Sequence, residues 1–520
     1  MRNLKRTLSL VLAALMLMSM MVVGAGAASK DFTDSDEIQH KEAVEVMVAL
    51  NVVSGKDDGS YFAPNDTFTR EEMAKVVSYV MNGGVEPVVG TKVTPTYSDI
   101  KGIWSEKYIE YCTSMDIISG DGAGKFNPTG TLTAEQAAKM CLTAMGYDSK
   151  GLGFGGNDWA INVGRYANEA GLYKELGDVV PSHPITRDDA MQMAYNAIQG
   201  TMMRRTWSQD LTTGQLTETY GPWTEQQTVG GVLYNIPHTL LSDKFDGSIE
   251  LGYLVGFDYD ATKAQWTYTF NANANFGGDK INTQNALASQ IKLKSTVDYT
   301  DLFGQQVKVI YNIDNNEVIY GVYANNSSVI VSGATGNVEE YNDTANTVTV
   351  AGTDYKLNDD AKTIGVYDLR NDVAVAKLDT LPTEKADGTK NPNALDAYTF
   401  KMVDNTGDGK IDAVIRTPVT VAKINYVGKD SVPLGSNIGS VDLDDLVTYD
   451  GYAAGDWVCY IKDTYATTGQ NTIQKLELQT AAVSGVRGGS GAAEYTEYQI
   501  NGEWLAGSNY GVFRSMVAKA

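Results

Sequence analysis

The chain has 520 residues, with 41 Lys plus Arg against 64 Asp plus Glu, a formal charge of -23, and 43% hydrophobic residues. That apolar share builds packed cores and excludes a disordered or collagen-like chain, and the length suits about three to five domains. So acidic a surface lacks the basic footprint that nucleic acid and anionic membranes require, and three cysteines cannot make a disulfide framework for this length.

The first element in the chain is a leader. Arg2, Lys5 and Arg6 precede an apolar run from Leu8 to Val23, and small residues with an Ala-x-Ala site at Ala25 to Ala27 come next. This order predicts a secretory signal peptide over 1–27. The run is shorter than the ~20 residues a bilayer span takes, and its removal leaves no membrane span. An exported chain this poor in cysteine fits a bacterial envelope. Cys112 and Cys141 fall on apolar helical positions and read as small buried hydrophobes.

An internal repeat organises the chain from the end of the leader to about residue 200. Phe32-x-Asp34, the stripe Ala43 to Leu50, Val53-Ser54-Gly55, Phe62-x-Pro64 and Thr69-Arg70-Glu71-Glu72 return about 65 residues later. The second copy reads Tyr97-x-Asp99, Tyr108 to Met115, Ile118-Ser119-Gly120, Phe126-x-Pro128 and Thr133-Ala134-Glu135-Gln136. In each copy the apolar spacing predicts a helix, Gly55 its end, an ordered loop that tucks the Phe inward, and a second helix opened by a Thr capping box. A third, degenerate copy carries Trp159, Tyr166-Ala167 and Thr186-Arg187-Asp188-Asp189, with its opening aromatic-x-Asp and its glycine loop lost or reshaped. The predicted units are 28–90, 91–150 and 151–200.

These motifs resemble the S-layer homology domain, over residues 30–200. The resemblance implies a mostly helical pseudo-threefold trimer of repeats at the cell surface. It also implies non-covalent anchoring to a pyruvylated secondary wall polysaccharide on peptidoglycan. In the family an arginine after the capping Thr faces the ligand carboxylate, which points here to Arg70 and Arg187, with Ala134 leaving the second copy without one. A planar guanidinium meets a carboxylate with two charge-assisted bonds. Trp104 and Trp159, near the starts of first helices, are candidates for stacking on sugar rings or for packing. Glu71 and Glu135 are candidates for the same site or for service to helix N-termini.

Beyond residue 200 the pattern turns to short alternating runs, such as Gln306 to Tyr311, Glu317 to Tyr323, Asn346 to Val350, Thr399 to Val403, Ala413 to Arg416 and Asp456 to Ile461. Sandwich or barrel-like β modules over 201–330, 331–420 and 421–520 are expected, giving an α+β multidomain chain. Asp404-x-Thr406-x-Asp408-Gly409-Lys410-x-Asp412 spaces oxygens like a calcium loop, with Ile415 where a bidentate Glu belongs. Weak Ca2+ binding and a plain Asp/Gly hairpin turn are the two readings of it. The three histidines, His40, His183 and His238, have no nucleophile or metal partner in sequence, so no catalytic residue is assigned and a non-enzyme is expected. The leading reading is a secreted cell-wall or cell-surface structural protein, with self-association into a surface lattice as a further partner. An anchored extracellular enzyme and an envelope-anchored outer-membrane porin are the alternatives.

Overall fold

The computed structural model describes residues 32–56, 59–90, 94–209, 213–229, 231–260, 262–272, 281, 283–335, 338–342, 345–350, 353–358, 365–368, 374–377, 398–418, 420–435, 438–461, 471–475, 482–487, 497–500 and 503–506. The expected leader lies outside them.

Three helix pairs come first: α1 (Lys41–Ala49) with α2 (Arg70–Met81), α3 (Glu106–Ser114) with α4 (Ala134–Ala144), and α5 (Trp159–Glu169) with α6 (Arg187–Gln199). The second helix of each pair starts at a capping Thr. Thr69 and Glu72 close a reciprocal capping box, Thr133 and Gln136 repeat it, and Thr186 accepts the Asp189 amide. Each such cap is worth about 1 kcal/mol. The apolar stripes then turn inward: α2 buries Met73, Val76, Val77 and Val80, and α4 buries Met140, Cys141 and Leu142. Burial pushes the Cys112 and Cys141 thiols up to about 12, so both are inert hydrophobes here.

One expectation is corrected. Gly55 does not end α1, which stops at Ala49 with Asn51 in the left-handed region at φ 57°; Asp116 takes the same place after α3 at φ 56°. Asn and Asp tolerate that conformation because their short side chains bond locally. Gly55 is needed for a different reason: a Cβ there would sit 2.5 Å from the Gly59 carbonyl oxygen. The glycine lets the loop fold back on itself.

The three pairs are tied end to end by main-chain bonds. Phe68 N donates to Ile185 O, Ile185 N to Leu132 O and Leu132 N to Phe68 O, each at 3.0 Å. All three side chains are buried. Around this ring every second helix leans on the next repeat's loop. Arg70 N and Glu71 N reach Gly130 O and Pro128 O, Ala134 N and Glu135 N reach His183 O and Pro181 O, and Arg187 N and Asp188 N reach Asp66 O and Pro64 O. The first turn's orphan amides are thus satisfied by a neighbour.

The β-rich part begins with two ribbons, β1 (Met203–Gln209) with β2 (Leu216–Pro222) and β3 (Thr224–Val229) with β4 (Val232–Pro237). A short helix α7 (Leu240–Phe245) leads into a five-stranded antiparallel sheet in the order β7-β6-β5-β8-β9, where β5 is Gly247–Asp260, β6 Gln265–Asn271, β7 Ile291–Ser295, β8 Gln306–Asn312 and β9 Ile319–Ala324. Residues 328–418 supply a five-stranded and a three-stranded sheet, and 420–475 supply a four-stranded sheet and a two-stranded pair. The helical repeats are not insulated from this half. Leu240, Leu241 and Phe245 of α7 and Ile310, Tyr320 and Tyr323 of the sheet belong to the same apolar core as the repeats. The chain is helical first and β-rich after, an α+β architecture.

Candidate functional site

The motif residues meet at the junctions between repeats. Asp34 accepts the amides of Phe62 at 2.8 Å and Ala63 at 2.7 Å, and Asp99 those of Phe126 at 2.9 Å and Asn127 at 2.8 Å. Ala63 and Asn127 are left-handed, at φ 59° and 58°, so the carboxylate fixes a strained turn that drives the Phe into the core. Burial pushes the Asp99 carboxyl up, but the Phe126 and Asn127 amides outweigh it and hold the group below its ordinary range. Asp99→Ala is expected to cost about 1–3 kcal/mol, because it strands amides folded around a missing acceptor. A urea unfolding curve of the chain checks this, with Asp99→Asn recovering part of the loss.

The two arginines sit on those phenylalanines. Arg70 stacks 4.5 Å from the Phe126 ring centroid and donates Nε to Phe126 O at 2.9 Å and a terminal nitrogen to Ser119 O at 3.3 Å. Arg187 lies 4.9 Å from the Phe62 centroid, donates to Ser54 O at 2.8 Å and is only 7% exposed. Each arginine is therefore a structural tie to the next repeat's loop before it is anything else. A guanidinium with five donors can make these bonds and still present others.

Two lysines escape a reading of the sequence alone. Lys75 and Lys139 occupy the same position, six residues after the capping Thr, and that coincidence is the available signal. Burial first, then the Arg187 guanidinium, lowers the Lys75 pKa; burial first, then Arg70, lowers that of Lys139. Lys139 Nζ stands 5.6 Å from the Trp159 centroid. Lys75 Nζ stands 5.7 Å from Tyr79, whose ring is 6.0 Å from Tyr108, itself 6.0 Å from Trp104. Trp104 is 53% exposed, which leaves a face free for stacking, whereas Trp159 is half-buried. Two cation-and-aromatic groups result: Arg70, Lys139 and Trp159, and Arg187, Lys75 and Trp104. In the third combination the matching positions are Ala134, Gln192 and Gln39.

Glu71 is buried and accepts the Ser105 hydroxyl at 2.6 Å. It positions the helix that Trp104 opens and does not face solvent. Its counterpart Asp188 likewise accepts the amides of Gln39 at 2.8 Å and His40 at 3.3 Å ahead of α1. Glu135 is half-buried. Beside Asp188 lies a cleft of about 370 Å³ lined in part by His40, Glu175, Asp178 and Asp189, all acidic or imidazole groups.

The Asp404–Asp412 segment is a tight turn. Asp404 accepts the amides of Thr406, Gly407 and Gly409 at 2.9, 2.7 and 2.7 Å, Asp412 that of Asn405 at 2.8 Å, and Asp408 that of Lys410 at 2.9 Å. Lys410 Nζ also pairs with Asp408 at 3.3 Å. Among the described residues no group of three or more His, Cys, Asp or Glu is placed to hold a metal ion.

The S-layer homology domain model matches residues 31–74 and 96–138. The chain is 29% identical over 125 residues to S-layer protein EA1 of Bacillus anthracis, an alignment that covers 24% of this chain and 14% of that one. It is 26% identical over 175 residues to an uncharacterized cell wall amidase of Bacillus anthracis, 32% of each chain. It is 25% identical over 207 residues to the middle cell wall protein of Brevibacillus brevis, 39% of this chain and 19% of that one. The alignments span between 14% and 32% of these relatives' own lengths. Two matched copies of the domain, the same contacts repeated at their junctions, and S-layer and cell-wall proteins among its relatives make this a chain that carries S-layer homology repeats and sits at the cell wall and surface.

Proposed function

We propose that the three repeats form a pseudo-threefold trimer that holds the protein to an anionic, pyruvylated secondary wall polysaccharide on peptidoglycan. The ring of bonds through Phe68, Leu132 and Ile185 supports the symmetry. The observation that carries the binding reading is the distribution of cations and aromatics. Arginine, lysine and tryptophan are kept together at two junctions, and all three are replaced together, by Ala134, Gln192 and Gln39, at the remaining one. Structural need alone does not require a half-buried lysine beside a buried arginine, since like charges there cost energy. An anionic ligand group between them removes that cost.

In this reading the acidic body opposes approach of the polymer, and two local cationic sites overcome it, linked by one rigid unit so that their weak affinities reinforce each other. The β-rich remainder is a non-catalytic surface module that self-associates. An uncharacterized cell wall amidase, an amylopullulanase and an exoglucanase are among the chain's relatives, and an activity hidden after residue 200 is the second reading. A weak calcium site at Asp404 to Asp412 would have to displace the turn amides those carboxylates hold.

Arg70 and Arg187 are poor probes because they also hold the fold. Lys75→Glu with Lys139→Glu is expected to abolish co-sedimentation with purified wall sacculi. Each lost charge-assisted contact is worth about 1.5–3 kcal/mol, so the pair amounts to at least about a hundredfold. Circular dichroism should be unchanged. Wild-type sedimentation of the double variant would sink the assignment, and so would equal binding to sacculi stripped of their secondary polymer.

A further inference from the structure

The ribbon β3–β4 differs from the neighbouring ribbon β1–β2, which carries Arg204, Arg205 and Glu218, in having an uncharged outer half. It is a two-stranded sheet on its own, with Gln227 opposite Tyr234, Thr228 opposite Leu233 and Val229 opposite Val232. Five of the six β3 residues are exposed, as are Val232 at 45% and Leu233 at 61%. Most of β3 and the tip of β4 therefore look outward, while Tyr234, Ile236 and Pro237 are half-buried. An isolated two-stranded hairpin is marginal in water, and open strand edges are normally blunted by charge, by burial or by a bulge. Here the register runs unbroken, and residues 226–235 carry no charge at all in a chain whose formal charge is -23.

The root of the ribbon is firm. Trp223 stacks on His238 at 4.0 Å with 13° between the rings, and Arg204 lies 4.7 Å from the Trp223 centroid. Main-chain bonds from Met202 N to His238 O and from Trp223 N to Met202 O tie this base to the end of the repeats. Asp243 adds a 2.9 Å bond to the His238 ring. A rigid base with an uncharged, unprotected strand pair beyond it holds a hydrogen-bonding edge at a fixed angle to the body.

We propose that this ribbon is a self-association surface, in which β4 pairs edge to edge and antiparallel with β4 of a second copy. The proposal rests on the self-association named above and gives it a location. Charge selects the occupant. Two acidic copies repel over most of their surface, and this uncharged segment is where they approach without like-charge cost. It also selects the strand, because β3 would bring its own Glu225 into the pairing while β4, Val232 to Pro237, has no acidic or basic side chain of the Asp, Glu, Lys, Arg or His kind. A twofold pairing of this kind, centred between Tyr234 and Asn235, is isologous and lays Leu233 and Val232 against Ile236 and Pro237 of the second copy while satisfying open main-chain groups.

The test uses the full mature chain in sedimentation velocity across a wide concentration range. Wild type should associate, and Val232→Lys with Leu233→Lys should remain monomeric with unchanged circular dichroism and unchanged sedimentation with sacculi. Asn235→Cys, placed close to the twofold axis, should give a disulfide-linked dimer on mild oxidation; Cys112, Cys141 and Cys459 are buried and do not compete. Three results overturn the proposal: a wild type monomeric at every concentration, a lysine variant that associates like wild type, or an associating Asn235→Cys chain that does not cross-link. Loss of wall binding with association intact would count against the anchor alone.

Discussion

Glu45→Gln should make the protein more stable at pH 8 than the natural chain by about 2–3 kcal/mol, and should leave it little changed at pH 4. Glu45 lies on α1 where that helix meets β9, and Tyr323 Oη donates to its carboxylate at 3.0 Å. Burial is the main reason its pKa is pushed up to about 7, opposed by the Tyr323 bond and by Lys41 and reinforced by the nearby Glu42. Glu42 itself has partners, taking the Tyr195 hydroxyl at 2.5 Å and pairing with Lys308. A carboxyl raised in the folded state favours folding while it is protonated. Its contribution is complete below about pH 4.5 and is lost as pH rises through about 7. Glutamine keeps an acceptor for Tyr323 and removes the charge, so it removes that loss. Thermal melts of wild type and variant from pH 4 to 9 decide it: parallel curves across the whole range would mean the carboxyl is not buried at this joint. His40 titrates in the same direction, because its bond to Asp189 raises its pKa, so some slope should survive in the variant.

Phe126→Ala should cost about 3–5 kcal/mol and should also weaken wall binding. The ring is 1% exposed in the repeat core, and it is the seat on which Arg70 stacks. Removing it leaves a cavity and takes away both the cation–π contact and the shape that aims the Arg70 Nε at Phe126 O. Phe126→Leu separates the two roles: most of the core volume returns, but the guanidinium has no aromatic face. Its stability should recover by more than half while wall binding stays low. Unfolding and sacculus sedimentation on the two variants check this. Full binding by the Leu variant would show that Arg70 needs no aromatic support.

The helix pairs are legible in the sequence because their signals are local. Thr69, Thr133 and Thr186 each open the helix that their capping chemistry announces, and the stripe from Ala43 becomes α1. The strand at Gln306 and that at Asn346 also lie within a residue or two of their alternating runs. What escapes is long-range. Nothing in Phe32-x-Asp34 says that the aspartate will hold amides 28 and 29 residues away, and nothing in Arg187 says that it will bond Ser54, 133 residues back. Gly55 misleads because a stop after a helical stripe and a close backbone approach both favour glycine, and only the neighbour at Gly59 distinguishes them. Lys75 and Lys139 are visible in the alignment of the copies but lack meaning until Trp159 and Arg187 are seen nearby. The ribbon β3–β4 has no alternation to detect, because neither face is buried.

The ring through Phe68, Leu132 and Ile185 also sets the order in which the domain can be completed. A chain made or threaded from its N-terminus presents Phe68 about 117 residues before Ile185, the residue that takes its amide hydrogen. Until then the first repeat has an open seam, and neither Arg187 nor the third pair's apolar face is present to shield it. Contacts this distant in sequence form late because loop closure comes before their reward. The first repeat's seam therefore stays open until the third helix pair is in place, and only then is the ring complete.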